Sequence, residues 1–117
     1  MALKVWHYAG CSTCRKARKW LSERDHNVEL IPIVEAPPSA EELRGLWERS
    51  GLPLKRFFNT SGQSYRGGGF KDRLPTMSED EQLAALAADG KLIKRPLVDA
   101  GTAVFVGFRE SDWATAL

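Results

Sequence analysis

Two cysteines separated by two residues are the part of this sequence best suited to chemistry. Cys11 follows a short apolar run and a glycine, and Cys14 lies one helical turn further on. The thiolate is the nucleophilic form of cysteine, and the N-terminus of a helix favours it because free N–H groups and partial positive charge collect there. The spacing therefore predicts that Cys11 attacks a substrate and that Cys14 resolves the mixed disulfide.

Positive side chains lie close to this pair in the sequence and at one distant position. Arg15 follows Cys11 by four residues, so it is expected near the sulfur, where it would assist a thiolate or a bound anion. Arg95 precedes Pro96, and a cis bond between them would form a sharp bend that directs the arginine towards Cys11. The alternative for Arg95 is an exposed arginine at the entrance of a strand.

Two further roles for the cysteine pair are disfavoured. A structural zinc ion normally takes four protein ligands, and the two histidines, His7 and His26, do not have the spacing of zinc ligands. An inert buried pair would need no special surroundings, whereas Gly10 precedes the pair and basic residues follow it. We therefore expect a reactive thiol pair and no metal.

The composition of the 117 residues is that of an ordinary globular domain, with 43% hydrophobic and 27% charged residues. A net charge of +2 does not indicate a nucleic-acid binder, which usually carries a concentrated basic face. No apolar run reaches the roughly 18 residues of a membrane span, and the start of the chain lacks a signal-peptide layout. We expect a monomeric cytoplasmic protein, in a compartment where structural disulfides are rare.

The pattern at both ends of the chain predicts strands that frame a helical middle. Residues 3–8, 12–24 and 28–34 are expected to form a strand, a helix and a parallel strand with a right-handed crossover. Ser12 or Thr13 could cap this helix. Because Pro32 cannot donate a ladder hydrogen bond, the second strand is expected at a sheet edge.

The remaining elements follow from capping and turn signals. Ser39 and Ser78 each precede a glutamate at the third helical position, which predicts two capped helices. Residues 59–70 are rich in small and polar side chains and are interpreted as a mobile surface loop. A hairpin over residues 97–107 and a closing helix over 110–117 complete an α/β fold with a mixed four-stranded sheet.

Four motifs, in this order, resemble the arsenate reductase (ArsC) and Spx/MgsR family over nearly the whole chain. They are CSTCRKA at residues 11–17, FNTSG with YR within 58–66, KRPL at 94–97 and VGF at 106–108. The closest likeness is to uncharacterised ArsC-family proteins. The resemblance implies a single ArsC-type domain of thioredoxin-like fold, in which residues 1–34 and 95–117 form the core and residues 35–94 a helical insertion.

The resemblance also implies a thiol-dependent oxidoreductase, either an arsenate reductase or a glutaredoxin-like thiol-disulfide reductase. Its substrate would be a small oxyanion or a disulfide. No cofactor would be bound, and glutathione, glutaredoxin or thioredoxin would serve as the reductant.

In arsenate reductases of this family three arginines hold the oxyanion. One of them matches Arg95, the second falls on Asn59, and the third falls near Gly107 and Phe108, where no arginine stands unless Arg109 is displaced into the role. Arg66 is the expected substitute if its loop folds over the site. The expected anion-binding residues are therefore Arg15, Asn59, Arg66, Arg95 and Pro96.

Cys14 supports an alternative within the same family. A second cysteine at this position is typical of Spx-like regulators, which use the pair as a redox switch while binding RNA polymerase through the C-terminal domain of its α-subunit. The resemblance therefore also implies a second hypothesis, a redox-sensing transcriptional regulator with a Cys11–Cys14 switch.

Overall fold

The computed structural model describes residues 2–117, and its centre is a four-stranded mixed sheet in the order β2-β1-β3-β4. The strands are β1 (Leu3–His7), β2 (Val28–Pro32), β3 (Leu97–Asp99) and β4 (Val104–Val106). β1 is parallel to β2 and antiparallel to β3, and β3 forms an antiparallel hairpin with β4. The predicted sheet is confirmed, including the edge position of the strand that contains Pro32.

Helices connect and cover these strands. The helices are α1 (Ser12–Glu23), α2 (Ala40–Ser50), α3 (Gln63–Gly67), α4 (Phe70–Arg73), α5 (Glu79–Ala88) and α6 (Glu110–Ala116), with 3-10 turns at Leu54–Phe57, Leu74–Thr76 and Gly90–Leu92. Both predicted capping boxes are present, at Ser39 and Ser78. Among the described residues, no helix combines the length and the apolar character that a bilayer crossing requires.

The prediction of a loop over residues 59–70 is wrong, because this segment contains α3 and the start of α4. Tyr65 and Phe70 are buried here, and their rings lie 6.3 and 5.9 Å from the ring of Phe58. Burial of two large aromatic side chains outweighs the polar composition of the segment. Polar residues dominate the composition of this segment, but two aromatic residues five positions apart determine its structure.

The sheet carries one apolar cluster on each face, because successive strand residues point in opposite directions. Val5 and Val98 pack with the cluster that contains Trp20 of α1 and Trp113 of α6. Trp6 and Leu97, their neighbours in the chain, belong to the cluster formed with α2, α5 and the intervening turns. These three tryptophans therefore serve in packing.

The helical segment between β2 and β3 is tied to the sheet by a two-point ion pair. Arg49 of α2 donates to both carboxylate oxygens of Asp99 in β3, at 2.8 and 3.2 Å, and to the carbonyl oxygen of Gly101 at 2.6 Å. The hydrogen bond from Arg49 holds the pKa of Asp99 below its usual range. This contact fixes α2 against the hairpin that follows Pro96.

Candidate active site

Cys11 is itself the residue that caps α1. Its backbone is extended, and its Sγ accepts a hydrogen bond from the N–H of Cys14 at 3.4 Å. Its own N–H donates to the carbonyl oxygen of Tyr8 at 3.0 Å, which closes the turn that follows β1. The prediction that Ser12 or Thr13 caps the helix is wrong, because the sulfur occupies the capping position and both residues lie within the first turn.

The surroundings of Cys11 favour its thiolate. Partial burial opposes ionisation, but the backbone N–H of Cys14, the Cys14 thiol and the Arg95 guanidinium all stabilise the negative sulfur. These interactions outweigh burial, so the pKa of Cys11 lies below its ordinary value. A larger share of Cys11 is therefore ionised at neutral pH than in a free cysteine.

The environment of Cys14, in contrast, favours its protonated thiol. Its side chain is only 1% exposed, and burial raises the pKa of the Cys14 thiol to about 12, with the neighbouring Cys11 sulfur adding to the increase. Both cysteines are in the free form. At neutral pH the pair thus consists of a thiolate-prone sulfur, Cys11, and a protonated thiol, Cys14, so Cys11 is the more nucleophilic of the two.

Arg95 lies beside this pair, at a cis peptide bond with Pro96. Its guanidinium carbon is 4.6 Å from the centre of the Tyr8 ring, within the range of a cation–π contact. Among the described residues, its Nη1 is buried and has no hydrogen-bond partner. The positive charge is therefore held in place by an aromatic face and retains a free donor.

A pocket of about 440 Å³ opens on the Cys11 sulfur. It is lined by Cys11, Thr13, Asn59, Ser61, Gly62, Lys94, Arg95, Gly107 and Phe108. Two of these side chains are cationic, several carry hydrogen-bonding groups, and the lining contains no carboxylate. The pocket is suited to an anionic or electron-rich group in contact with the sulfur.

Two backbone contacts bring the distant parts of this pocket together. The segment before Asn59 runs antiparallel to the segment before Arg95, with Lys94 N–H donating to Phe57 at 2.8 Å and Asn59 N–H donating to Leu92 at 2.8 Å. These pairings join the segment that carries Asn59 to the segment that leads into Lys94 and Arg95. Sequence reasoning missed Lys94 as a site residue, although it directly precedes Arg95 in a motif already singled out.

Gly107 completes the pocket wall. Its N–H donates to the carbonyl oxygen of Pro96 at 2.9 Å, and its φ of +79° is one that side chains rarely adopt. A Cβ at this position would also lie 2.9 Å from Lys94. Glycine therefore allows the end of β4 to approach the Arg95–Pro96 bend closely.

Three of the five expected anion-binding residues, Arg15, Arg66 and Pro96, do not line this pocket, although Pro96 directly follows Arg95, which does. Arg15 lines a separate cavity of about 760 Å³ together with Arg18, Lys19 and residues of β2. It lies on the stripe of α1 that faces β2, because side chains three and four positions apart share one face of a helix. Arg66 is exposed on α3 and does not line the Cys11 pocket.

The mixed sheet, the cysteine at the first helix and the arginine before a cis proline define a thiol site on a thioredoxin-like fold. The chain belongs to the ArsC family, whose sequence model matches residues 6–116.

It is 55% identical over 113 residues to the uncharacterised protein YusI of Bacillus subtilis, which covers 97% of this chain and 96% of that protein. The crystal structure of an ArsC-family-related protein from Bacteroides fragilis has a TM-score of 0.95 and 45% identity, covering 100% and 98% of the two chains. An arsenate reductase of Neisseria meningitidis is 29% identical over 106 residues, or 90% of this chain and 89% of that enzyme.

Replacing Arg95 with glutamine is expected to lower the reactivity of Cys11. Loss of the guanidinium removes a hydrogen bond and a positive charge from the thiolate, so the pKa of Cys11 rises towards its ordinary value. The rate of alkylation at neutral pH should fall several-fold, and the midpoint of its pH profile should move to higher pH. Arg66→Gln, which removes an exposed arginine outside the pocket, should leave both unchanged; equal effects would contradict the role of Arg95.

Proposed function

We propose that this protein is a thiol-dependent oxidoreductase that uses Cys11 as its nucleophile and Cys14 as its resolving thiol. The observation that carries the proposal is that two cysteines one helical turn apart have pKa values shifted in opposite directions, with the lowered one, Cys11, in a pocket that Lys94 and Arg95 also line. Membership in a family that includes arsenate reductases supports the same class of chemistry.

The proposed reaction transfers two electrons from the cysteine pair to a disulfide. The Cys11 thiolate attacks one sulfur of the substrate, the S–S bond breaks, and the first substrate thiolate leaves. Cys14 then gives up its proton and attacks the Cys11 sulfur, which releases the second substrate thiolate. The protein is left with a Cys11–Cys14 disulfide, and an external thiol such as glutathione, glutaredoxin or thioredoxin returns it to the reduced form.

The pocket favours a disulfide over arsenate as the substrate. A tetrahedral dianion taken out of water needs close positive partners for its charge, because unpaired buried charge is costly. Asn59 and Gly107 line this pocket where the family resemblance places two arginines, which leaves Arg95 as its single guanidinium, with Lys94 beside it. A disulfide bond is uncharged, so its binding does not require positive partners of this kind.

A direct comparison of two substrates tests the proposal. Hydroxyethyl disulfide reduction with an excess thiol donor and arsenate reduction with glutathione and glutaredoxin are measured for the same preparation. We expect kcat/KM for the disulfide to exceed that for arsenate by at least about tenfold, roughly the effect of one lost charge-assisted contact. Failure to reduce either substrate would contradict the enzymatic function, and the reverse order would contradict the preference.

The regulator hypothesis stays a separate prediction, supported by the second cysteine. To test it, the protein is immobilised in its dithiol and disulfide forms, and each form is assayed for retention of the isolated C-terminal domain of the polymerase α-subunit. If only one redox form retains the polymerase domain and the protein reduces neither substrate, the regulator hypothesis would be favoured over the enzymatic function.

A further inference from the structure

A second cavity of about 310 Å³ adjoins the Cys11 pocket and has no part in the chemistry described so far. It is lined by Tyr8, Asn59, Gly62, Gln63, Ser64, Lys91 and Arg95. Asn59, Gly62 and Arg95 line both cavities, so the two spaces share a wall. A ligand in the Cys11 pocket therefore has a second cavity directly beside it.

The lining of this second cavity is suited to a carboxylate. Lys91 and Arg95 supply positive charge, Gln63 and Ser64 carry hydrogen-bonding side chains, and no carboxylate lines the cavity. Asp89 is the nearest acidic residue in the chain, and its side chain accepts a hydrogen bond from the backbone N–H of Lys91 at 3.0 Å. Within residues 2–117, the Lys91 ammonium forms no ion pair.

Arg95, which lies in the wall that the two cavities share, gives a second indication that a ligand binds at this position. Its guanidinium lies over the Tyr8 ring, and its buried Nη1 has no acceptor within the described part of the chain. Buried polar groups are nearly always hydrogen-bonded, so a buried donor without a partner marks a place where an acceptor is missing. A carboxylate oxygen in the adjoining cavity would supply that acceptor through a charge-assisted bond.

We propose that this cavity, which we call the Lys91 subsite, binds a carboxylate on one arm of a small disulfide substrate while Cys11 attacks the sulfur. The inference rests on the proposed function and names its substrate class. The disulfide is reduced by the same thiol–disulfide exchange. The attacked S–S bond breaks, one carboxylate-bearing thiolate leaves, and the attack of Cys14 on the Cys11 sulfur releases the second carboxylate-bearing thiolate. Binding of the carboxylate orients the disulfide before the attack and lowers KM for anionic substrates.

Matched disulfides that differ only in their terminal groups test the subsite. Dithiodipropionate is anionic, hydroxyethyl disulfide is neutral, and cystamine is cationic. In Lys91→Glu, the KM for dithiodipropionate should rise about fivefold, the KM for hydroxyethyl disulfide should stay the same, and the KM for cystamine should fall. Lys71→Glu makes the same charge change on α4 beside a different cavity and should alter none of them. Equal effects of the two variants, or no effect of Lys91→Glu, would overturn the proposal.

A binding measurement keeps the subsite separate from catalysis. Suberate has the length and charges of dithiodipropionate but no disulfide, and it is added to the Cys11→Ser variant. We expect chemical-shift changes at the amides of Gln63, Ser64 and Lys91 that disappear when Lys91→Glu is added and remain with Lys71→Glu. Suberate binding without disulfide turnover would contradict the proposed function alone, whereas turnover with no shifts at these amides would overturn the subsite alone.

Discussion

Replacing Cys11 with serine is expected to reduce disulfide turnover by at least about a thousandfold, the scale found when a catalytic nucleophile is removed. A serine hydroxyl stays protonated in the surroundings that stabilise the Cys11 thiolate, so no nucleophile remains at neutral pH. Cys14 cannot take over, because it is 1% exposed and burial raises its pKa to about 12. Steady-state rates of hydroxyethyl disulfide reduction measure the loss.

When no external thiol is added, Cys14→Ser is expected to stop the reaction with the disulfide after its first step. Cys11 still attacks the substrate, but no second thiol releases it, so a mixed disulfide on Cys11 accumulates. Intact-mass spectrometry should show one substrate half per chain, removable by an added thiol. Thermal unfolding of both variants serves as the control for folding. Equal loss of activity in the two variants with no trapped adduct would contradict the roles assigned to the two sulfurs.

Gly90→Ala is expected to destabilise the protein by about 3 kcal/mol, the upper part of the range for overpacked sites. Gly90 is buried at the start of the 3-10 turn after α5, where its backbone packs against that of Ile33. A Cβ at position 90 would overlap the carbonyl oxygen of Ile33 and lie 2.6 Å from its carbonyl carbon. Backbone atoms cannot rotate away as a side chain does, so the segment after β2 must shift. Denaturant unfolding measures the loss.

Gly45→Ala is the matched control for this change. Gly45 lies in the interior of α2, and a Cβ there would meet no atom within 4 Å. Alanine should therefore stabilise the helix by up to about 1 kcal/mol. A Gly90→Ala variant as stable as the parent would show that residues 89–92 do not pack against the end of β2 as described.

The elements whose signals are local could be predicted from the sequence. Ser39 and Ser78 determine their helix starts through contacts within four residues, and both capping boxes form as expected. Pro32 indicates an edge strand because it lacks an N–H, and β2 lies at the edge. The order of strand, helix and strand at the start of the chain likewise predicted the parallel pair.

Features that depend on contacts between distant segments were missed or placed incorrectly. The aromatic packing of Tyr65 and Phe70 on Phe58 forms only after the segment folds, and its polar composition indicated a loop. Lys94 reaches the pocket because its strand segment pairs with Phe57, a contact that no local pattern reports. Arg15 was expected at the site because it follows Cys11 by four residues. This spacing fixes the face of α1 on which Arg15 lies, but not the part of the protein that this face contacts.

The pH dependence of Cys11 alkylation is the most direct test of the proposed chemistry. The reduced protein is treated with iodoacetamide across a pH series, and the modified cysteine is identified by peptide mass spectrometry. A lowered pKa keeps the thiolate at lower pH, so we expect Cys11 to reach half its maximal rate below about 8.5, the pKa of a free cysteine, with Cys14 unmodified. A half-maximal rate at or above that pH, or preferential labelling of Cys14, would contradict the assignment of Cys11 as the activated nucleophile.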